Sequence, residues 1–233
     1  MIENLTLTLN ILKVERIIDD LRRGMPVIID GVLVLAIEQL SPESCHWVDQ
    51  SKAQCVITAK RAEYLGWSGH QGPVSIHINS LTEISTSAYQ ALIALAGAVQ
   101  AEVLPNVYVQ LSPKKVMSEA VIKIMELMNI SGLLPAVVIQ EKINPAEYDF
   151  PLLSIESEVI AAYDHAMRDA LRPVCRAPLT LKYAPKSEII AYRPLVGGRE
   201  HYAIIIGDAL KQEAPLVRVH SSCYTGDLSL IHI

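Results

Sequence analysis

Aromatic residues are scarce in this 233-residue chain, at 5% with a single Phe, so any core must be built from aliphatic side chains. Cysteine is sparse too: Cys45, Cys55, Cys175 and Cys223 form no C-x-x-C pair, which leaves no disulfide framework and points to reduced thiols. Basic charge is not in excess. Twenty Lys and Arg against twenty-five Asp and Glu give a formal net charge of −5, which argues against a bulk surface for nucleic acid or anionic membrane. No apolar run reaches the roughly 20 residues a spanning helix needs; the longest, 91–104, is interrupted by Gln100 and Glu102. The opening Met1-Ile-Glu-Asn-Leu places no basic region ahead of an apolar one, so no secretory signal is expected and the chain reads as cytoplasmic. Against these absences stands a hydrophobic content of 51% with only 19% charged residues, ample for a packed core and wrong for disorder.

The patterning predicts an α/β fold of two domains, with mixed sheets and flanking helices. Val14, Ile17, Ile18 and Leu21 share one helical face before Gly24. Two apolar strands follow around Asp30-Gly31, a strong hairpin signal. Strands are expected over 54–58, 74–78, 107–111 and 135–139. Helices are expected over 59–65, from Ser85 or Ser87 to Ala96, and from Pro113, capped by Ser112, to just before Gly132. Between residues 141 and 153, Asn144-Pro145, Asp149 and Pro151 break every period, which sets the expected division at 1–150 and 151–233. Beyond it come a helix over 155–171 and strands over 179–183, 188–192, 202–206 and 216–220. His46, His70 and His77 share no ligand spacing and read as surface or satisfied polar residues, while Tyr183 and Tyr192 read as strand residues.

Chemistry concentrates in Pro215-Leu-Val-Arg218-Val219-His220-Ser221-Ser222-Cys223-Tyr224-Thr225-Gly226-Asp227. An apolar strand there would deliver a guanidinium, an imidazole, two hydroxyls and a thiol at its exit, where α/β folds bind ligands. Arg218 offers a planar fork suited to phosphate, and a Cys223 thiolate is a soft zinc ligand. By composition alone, Cys223 beside a histidine reads as an ordinary structural thiol.

The full string resembles the signature of GTP cyclohydrolase II, the first enzyme of riboflavin synthesis, which commonly reads R-V-H-S-E-C-x-T-G-D. Upstream, Glu200-His201-Tyr-Ala-Ile-Ile-Ile-Gly207-Asp208 is similar to that family's E-H-x-A-L-x-x-G-D strand. The resemblance implies that Arg218, Val219, His220, Ser221 and Ser222 contact GTP, with Ser222 standing where the family often has Glu. It also implies that Cys223 is the first of three zinc-binding cysteines. Zinc would activate water to attack C8 of guanine, releasing formate, with pyrophosphate leaving and magnesium assisting. The family continues with R-C-D-C-G and then with its catalytic residues, whereas this sequence continues Leu228-Ser-Leu-Ile-His-Ile233. Those last residues resemble translated adapter sequence, so the native chain is expected to diverge near Leu228, and His232 is poor evidence for a further ligand. No catalytic residue is therefore assigned, and the polypeptide is expected to be an inactive, C-terminally truncated fragment.

The first half resembles 3,4-dihydroxy-2-butanone 4-phosphate synthase. The likeness lies in a helix and strand running from Ile17 to Asp30, and in Thr58-Ala-Lys-Arg61-Ala-Glu-Tyr-Leu65-Gly66 against T-x-x-R-A-x-x-L-G. In that family the strand leads into an acidic cluster that binds magnesium and a sugar phosphate. Here aliphatics separate Asp30 from Glu38, and two carboxylates are too few for a hard cation. The resemblance thus implies a degenerate synthase-like domain in a scaffold or homodimerisation role, ahead of a cyclohydrolase whose partners are GTP and water. The competing expectation is a non-catalytic regulatory or nucleotide-binding protein that keeps the synthase-like dimer interface.

Overall fold

A computed structural model describes residues 2–78, 88–97, 113–116, 118–194 and 200–219. Two compact units emerge, Leu9–Asp164 and a second built from Met1–Thr8 with His165–Ile233.

The first unit is organised by a seven-stranded sheet in the order β5-β4-β3-β6-β2-β1-β7. Its strands are β1 (Val27–Ile29), β2 (Val32–Ala36), β3 (Gln54–Ile57), β4 (Val74–His77), β5 (Lys114–Lys115), β6 (Ala136–Gln140) and β7 (Ser154–Ile155). Every pairing is antiparallel except β1 with β7, so the sheet is mixed as the sequence predicts. The Asp30-Gly31 turn sets the first register, Val27 opposite Val34 and Ile29 opposite Val32. Asp30 at φ 49° and Gly31 at φ 77° supply the two left-handed residues that a tight hairpin turn of this twist requires.

Both faces of this sheet are buried. One carries Ile28, Leu33, Leu35, Cys55, Ile57, Val74, Ile76 and Val138, clustered with helices α2 (Ala59–Tyr64) and α3 (Ala88–Ala96). Residues Ala91 to Ala96 of α3 are buried without interruption, which explains why that helix has almost no polar face. Pointing the other way, Val27, Ile29, Val34, Val56, Val137 and Ile139 are buried as well. So are the stripes of α1 (Ile2–Arg22), with Val14, Ile17, Ile18 and Leu21, and of α4 (Glu119–Ser131), with Ile124, Leu127 and Met128. Burying each such aliphatic side chain stabilises the fold by about 1.5–3 kcal/mol.

Local signals place the helix ends. Thr58 Oγ1 accepts from the Arg61 N–H at 3.2 Å and caps α2. Gly132 closes α4 in the left-handed conformation, with the Leu133 N–H returning to the Met128 carbonyl at 3.0 Å.

Four expectations need correction. Tyr183, expected in a strand, lies in a turn and is exposed. Pro113 does not open a helix: Lys114 and Lys115 pair with Ser75 and Val74 as an edge strand, and the helix begins only at Glu119. Two consecutive lysines suit an exposed sheet edge. Ser154 and Ile155 are sheet residues rather than the start of a helix, which runs from Ser157 to Asp169 as α5. The strand expected over 216–220 is absent from its described part: Leu216–Val219 has no regular structure, and Leu216, Val217 and Val219 are 97%, 76% and 92% exposed. Apolar, β-prone residues make no strand without a neighbouring ladder to bond. The strand expected over 107–111 and the Ser85, Ser87 and Ser112 caps lie outside the described residues.

The second unit holds a three-stranded antiparallel sheet, β10-β9-β8, with β8 spanning Leu171–Leu181, β9 Ala184–Pro194 and β10 His201–Ile206. Strands β8 and β9 are each eleven residues long, far longer than the sequence breaks imply. Pro173 and Pro178 are tolerated because β8 is an edge strand, and its register shifts between Pro173 and Cys175 and between Leu179 and Leu181.

Candidate functional site

The segment with the strongest chemical signal belongs to the second unit and approaches its end through β10. Glu200, just ahead of that strand, gathers two partners. One carboxylate oxygen accepts from Arg193 Nε at 3.0 Å and also from the same guanidinium's Nη2, and the other accepts from the Tyr202 hydroxyl at 2.5 Å. The Tyr202 hydroxyl and then Arg193 hold the Glu200 carboxyl below the usual carboxylate range. This knot fixes the entry to β10 at the first two residues of the Glu200-His201 motif. The sequence marks Glu200 through its motif, but local pattern gives no sign that Arg193 and the Tyr202 hydroxyl are its partners.

At the far end of β10, Gly207 turns the chain, and Asp208 takes an ion pair from Lys211 at 2.7 Å, which lowers the Asp208 pKa. A shallow groove of about 410 Å³ lies on this sheet, lined by Arg176, Pro178, Lys186, Ser187, Glu188 and Gly207. Its charges are largely matched internally. Arg176 Nε lies 3.5 Å from Glu188 Oε2, and Lys186 is close enough to Asp208 to favour its ionised form. The Ser187 hydroxyl donates to the Ala184 carbonyl at 2.8 Å. A groove so balanced has little excess field for an anion.

Of the predicted contact residues, Arg218 and Val219 are described, and both are exposed. His220, Ser221, Ser222 and Cys223 lie outside the described residues. Among the described residues, no three of His, Cys, Asp and Glu come together as a metal-holding group. A catalytic zinc takes three protein ligands, a set that the described residues do not assemble.

Asp30 and Glu38, the two carboxylates of the first unit where the synthase family has its acidic cluster, are spent on backbone. Asp30 Oδ1 accepts the Ser157 N–H at 2.9 Å, and Glu38 Oε2 accepts the Leu134 N–H at 2.6 Å. Between them in sequence runs β2, whose Leu33, Val34, Leu35 and Ala36 are buried at 0–1% exposure. Magnesium needs near-octahedral oxygen ligation, and this donor set does not fit it.

Arg61, from the Thr58–Gly66 motif, is a helix clamp. Its Nε donates to the Leu95 carbonyl at 2.8 Å and its Nη2 to the Ala94 carbonyl at 2.9 Å, satisfying the open C-terminal end of α3. Gly97 sits beneath the guanidinium with φ 78°, and a Cβ there would meet Arg61 Cζ at 3.0 Å.

Of the three histidines expected to be surface or satisfied polar residues, His46 and His77 are exposed and His70 is half-buried; His46 Nδ1 lies 3.1 Å from the Glu43 carbonyl, and His77 stands opposite Gln54 in the sheet register. None of Cys45, Cys55 and Cys175 forms a disulfide; the first two are buried and the third is exposed. Burial pushes the thiols of Cys45 and Cys55 up, most strongly at Cys55. No helix among the described residues is long and apolar enough to cross a membrane.

Comparison with known proteins places these observations. Residues 172–230 match the family model of GTP cyclohydrolase II, the same likeness carried by the Arg218–Asp227 string. A GTP cyclohydrolase-2 from Azospirillum brasilense is 37% identical over 111 residues, covering 44% of this chain and 28% of that relative. A GTP cyclohydrolase-2 from Xylella fastidiosa (strain 9a5c) is 28% identical over 228 residues, covering 93% of this chain and 54% of the relative. The chain therefore spans about half the length of these relatives or less. Among solved structures, a 3,4-dihydroxy-2-butanone 4-phosphate synthase from Candida albicans aligns with a TM-score of 0.44 and 16% identity, over 65% of this chain and 96% of that one.

Proposed function

We propose that this chain carries the GTP-contacting front portion of a GTP cyclohydrolase II acting in riboflavin biosynthesis, behind a synthase-like domain that serves as scaffold. The match of residues 172–230 to that family carries the reading. The alignment of 93% of the chain with one GTP cyclohydrolase-2 supports treating both halves as parts of a single enzyme type.

In this reading Arg218 supplies a bidentate donor fork to the triphosphate. His220, Ser221, Ser222 and the amide of Val219 complete the polar contacts with GTP. Ser222 offers a hydroxyl where the family often has a carboxylate, so at this position the chain donates or accepts a hydrogen bond without adding charge. Cys223 is one zinc ligand, and zinc when bound makes hydroxide available near neutral pH. One thiol in the segment does not complete the zinc coordination set. In this reading Cys223 alone does not hold zinc, so the 233-residue polypeptide is expected to release no formate, and the described residues of the first unit gather no acidic set for magnesium. The protein works as a homodimer in the cytoplasm, with GTP and water as its reactants.

The native reading frame beyond Asp227 tests the assignment. A frame encoding two further cysteines in a C-x-C arrangement supports it, and the product of that frame is expected to release formate from GTP in a way that Cys223→Ser abolishes. A genuine stop after Ile233 favours the second reading, a regulatory protein that keeps the nucleotide contacts. The carboxylates Asp30 and Glu38, both engaged with backbone, are what give that second reading its support.

A further inference from the structure

The stretch between β6 and α5 has the composition of a free linker, yet Ile143, Tyr148 and Leu152 pack partly buried against the core of the first unit, and directed contacts fasten it at two places. Near its middle, the Tyr148 hydroxyl donates to the Trp47 carbonyl at 2.8 Å. The Phe150 ring sits edge-on to Trp47 at 5.3 Å and to Tyr148 at 5.8 Å.

The second fastening lies at the hairpin turn. The Ile28 N–H donates to the Leu153 carbonyl at 2.8 Å and the Asp30 N–H to the Ile155 carbonyl at 3.1 Å, which makes β7 a parallel neighbour of β1. Asp30 then reaches across 127 residues of sequence to accept the Ser157 N–H with Oδ1. That N–H belongs to the first turn of α5, where four donors lack intrahelical partners and a carboxylate is favoured by the helix dipole. Asp suits both demands on this position, because it tolerates the left-handed backbone and supplies the acceptor. Farther along α5, Ile160 and Tyr163 are buried, and the Tyr163 hydroxyl donates to Glu15.

We propose that residues 141–157 form a latched strap with two independent anchors, an aromatic pin around Phe150 and the Asp30 carboxylate. Asp30 is the positioning residue that sets where α5 begins. The anchors share no side chain, so either can open while the other holds. The device is conformational and does not depend on the cyclohydrolase reading.

Amide hydrogen exchange followed by mass spectrometry on the full 233-residue chain tests it, paired with trypsin digestion at the exposed Lys142. Asp30→Gly keeps the left-handed turn and deletes the acceptor; Asp30→Asn keeps both. Asp30→Gly is expected to speed exchange over 153–159 by about tenfold and to leave β3 and β4 unchanged, while Asp30→Asn stays near the unsubstituted chain. Phe150→Ala is expected to speed exchange over 144–152 and cleavage after Lys142, with 157–159 still protected. The proposal is overturned if residues 141–157 of the unsubstituted chain exchange like an unstructured peptide. It is equally overturned if Asp30→Gly leaves 153–159 unchanged or raises exchange in β3 and β4 alike, or if Phe150→Ala releases the whole strap.

Discussion

The two sheets of this protein are built on opposite plans. In the first unit, β1, β2 and β6 are buried on both faces, and the carboxylates Asp30 and Glu38 beside the hairpin accept backbone N–H groups. In the second unit, the strand residues Leu181, Ser187, Ile190 and Pro194 are buried, and the rest are partly or fully exposed. Eight of the eleven exposed large hydrophobic residues among those described fall between Val174 and Val219. The difference is one of closure. A sheet with helices on both sides holds its own core, whereas a three-stranded sheet with little cover leaves its apolar side chains in water. The chemical signature belongs to the unit with the open sheet, in the region that matches a family of whose relatives this chain spans about half the length or less.

The largest effect that sharpens this contrast comes from truncating matched side chains. Leu92, 2% exposed within the first core, is expected to cost about 2–5 kcal/mol as Leu92→Ala. Ile206, 53% exposed on β10, is expected to cost no more than about 0.5 kcal/mol as Ile206→Ala. Urea unfolding of both variants measures the difference, and equal costs would dissolve the distinction between a closed and an open sheet.

Next in size is the clamp on α3. Gly97→Ala forces a Cβ against Arg61 at a positive φ and is expected to cost about 1–3 kcal/mol. Arg61→Ala, which leaves two helix-end carbonyls without their charged donor, should fall in a similar range of about 1.5–3 kcal/mol. The double variant should cost less than the sum, because both act on one contact.

Thiol chemistry reads the contrast without disturbing it. A disulfide reagent at pH 8 is expected to modify Cys175 in the native chain and to reach Cys45 and Cys55 only on unfolding. Comparable rates at all three would mean that the first core is not closed.

The smallest effect is electrostatic. Asp49, bonded by Lys52 and Ser51, is held down to about 2 from an ordinary 3.8. Its folded pKa is the lower one, so its contribution is present above about pH 3.8 and is lost as pH falls toward 2. Glu200 follows the same sign through Tyr202 and Arg193. Carboxyl shifts followed by NMR during acid titration check both, and an Asp49 midpoint near 3.8 would remove the Lys52 and Ser51 contacts from the account.

Much of the closed sheet is legible from local signals. The Asp30-Gly31 turn, the Thr58 cap and the stripe Val14, Ile17, Ile18 and Leu21 each state their structure within a few residues. Lys114 and Lys115 were misread because Ser112-Pro113 is a good local helix start, while their actual role depends on Ser75 and Val74, some forty residues earlier. The roles of Asp30, Glu38 and Arg61 were hidden for the same reason: their partners Ser157, Leu134 and Leu95 lie 127, 96 and 34 residues away. Of the candidate site, the family signature was legible because ten adjacent residues carry it. The Glu200 knot was not, because Arg193 joins it from the neighbouring strand.

The proposed function stands on the match of residues 172–230 to GTP cyclohydrolase II, read with Cys223 as one proposed zinc ligand. Formate release from GTP, assayed on the purified 233-residue polypeptide supplied with zinc and magnesium, addresses it most directly. No formate above the buffer control, with no zinc retained after dialysis, is the result expected. Sustained formate production by this polypeptide, with zinc held at one ion per chain, would contradict it.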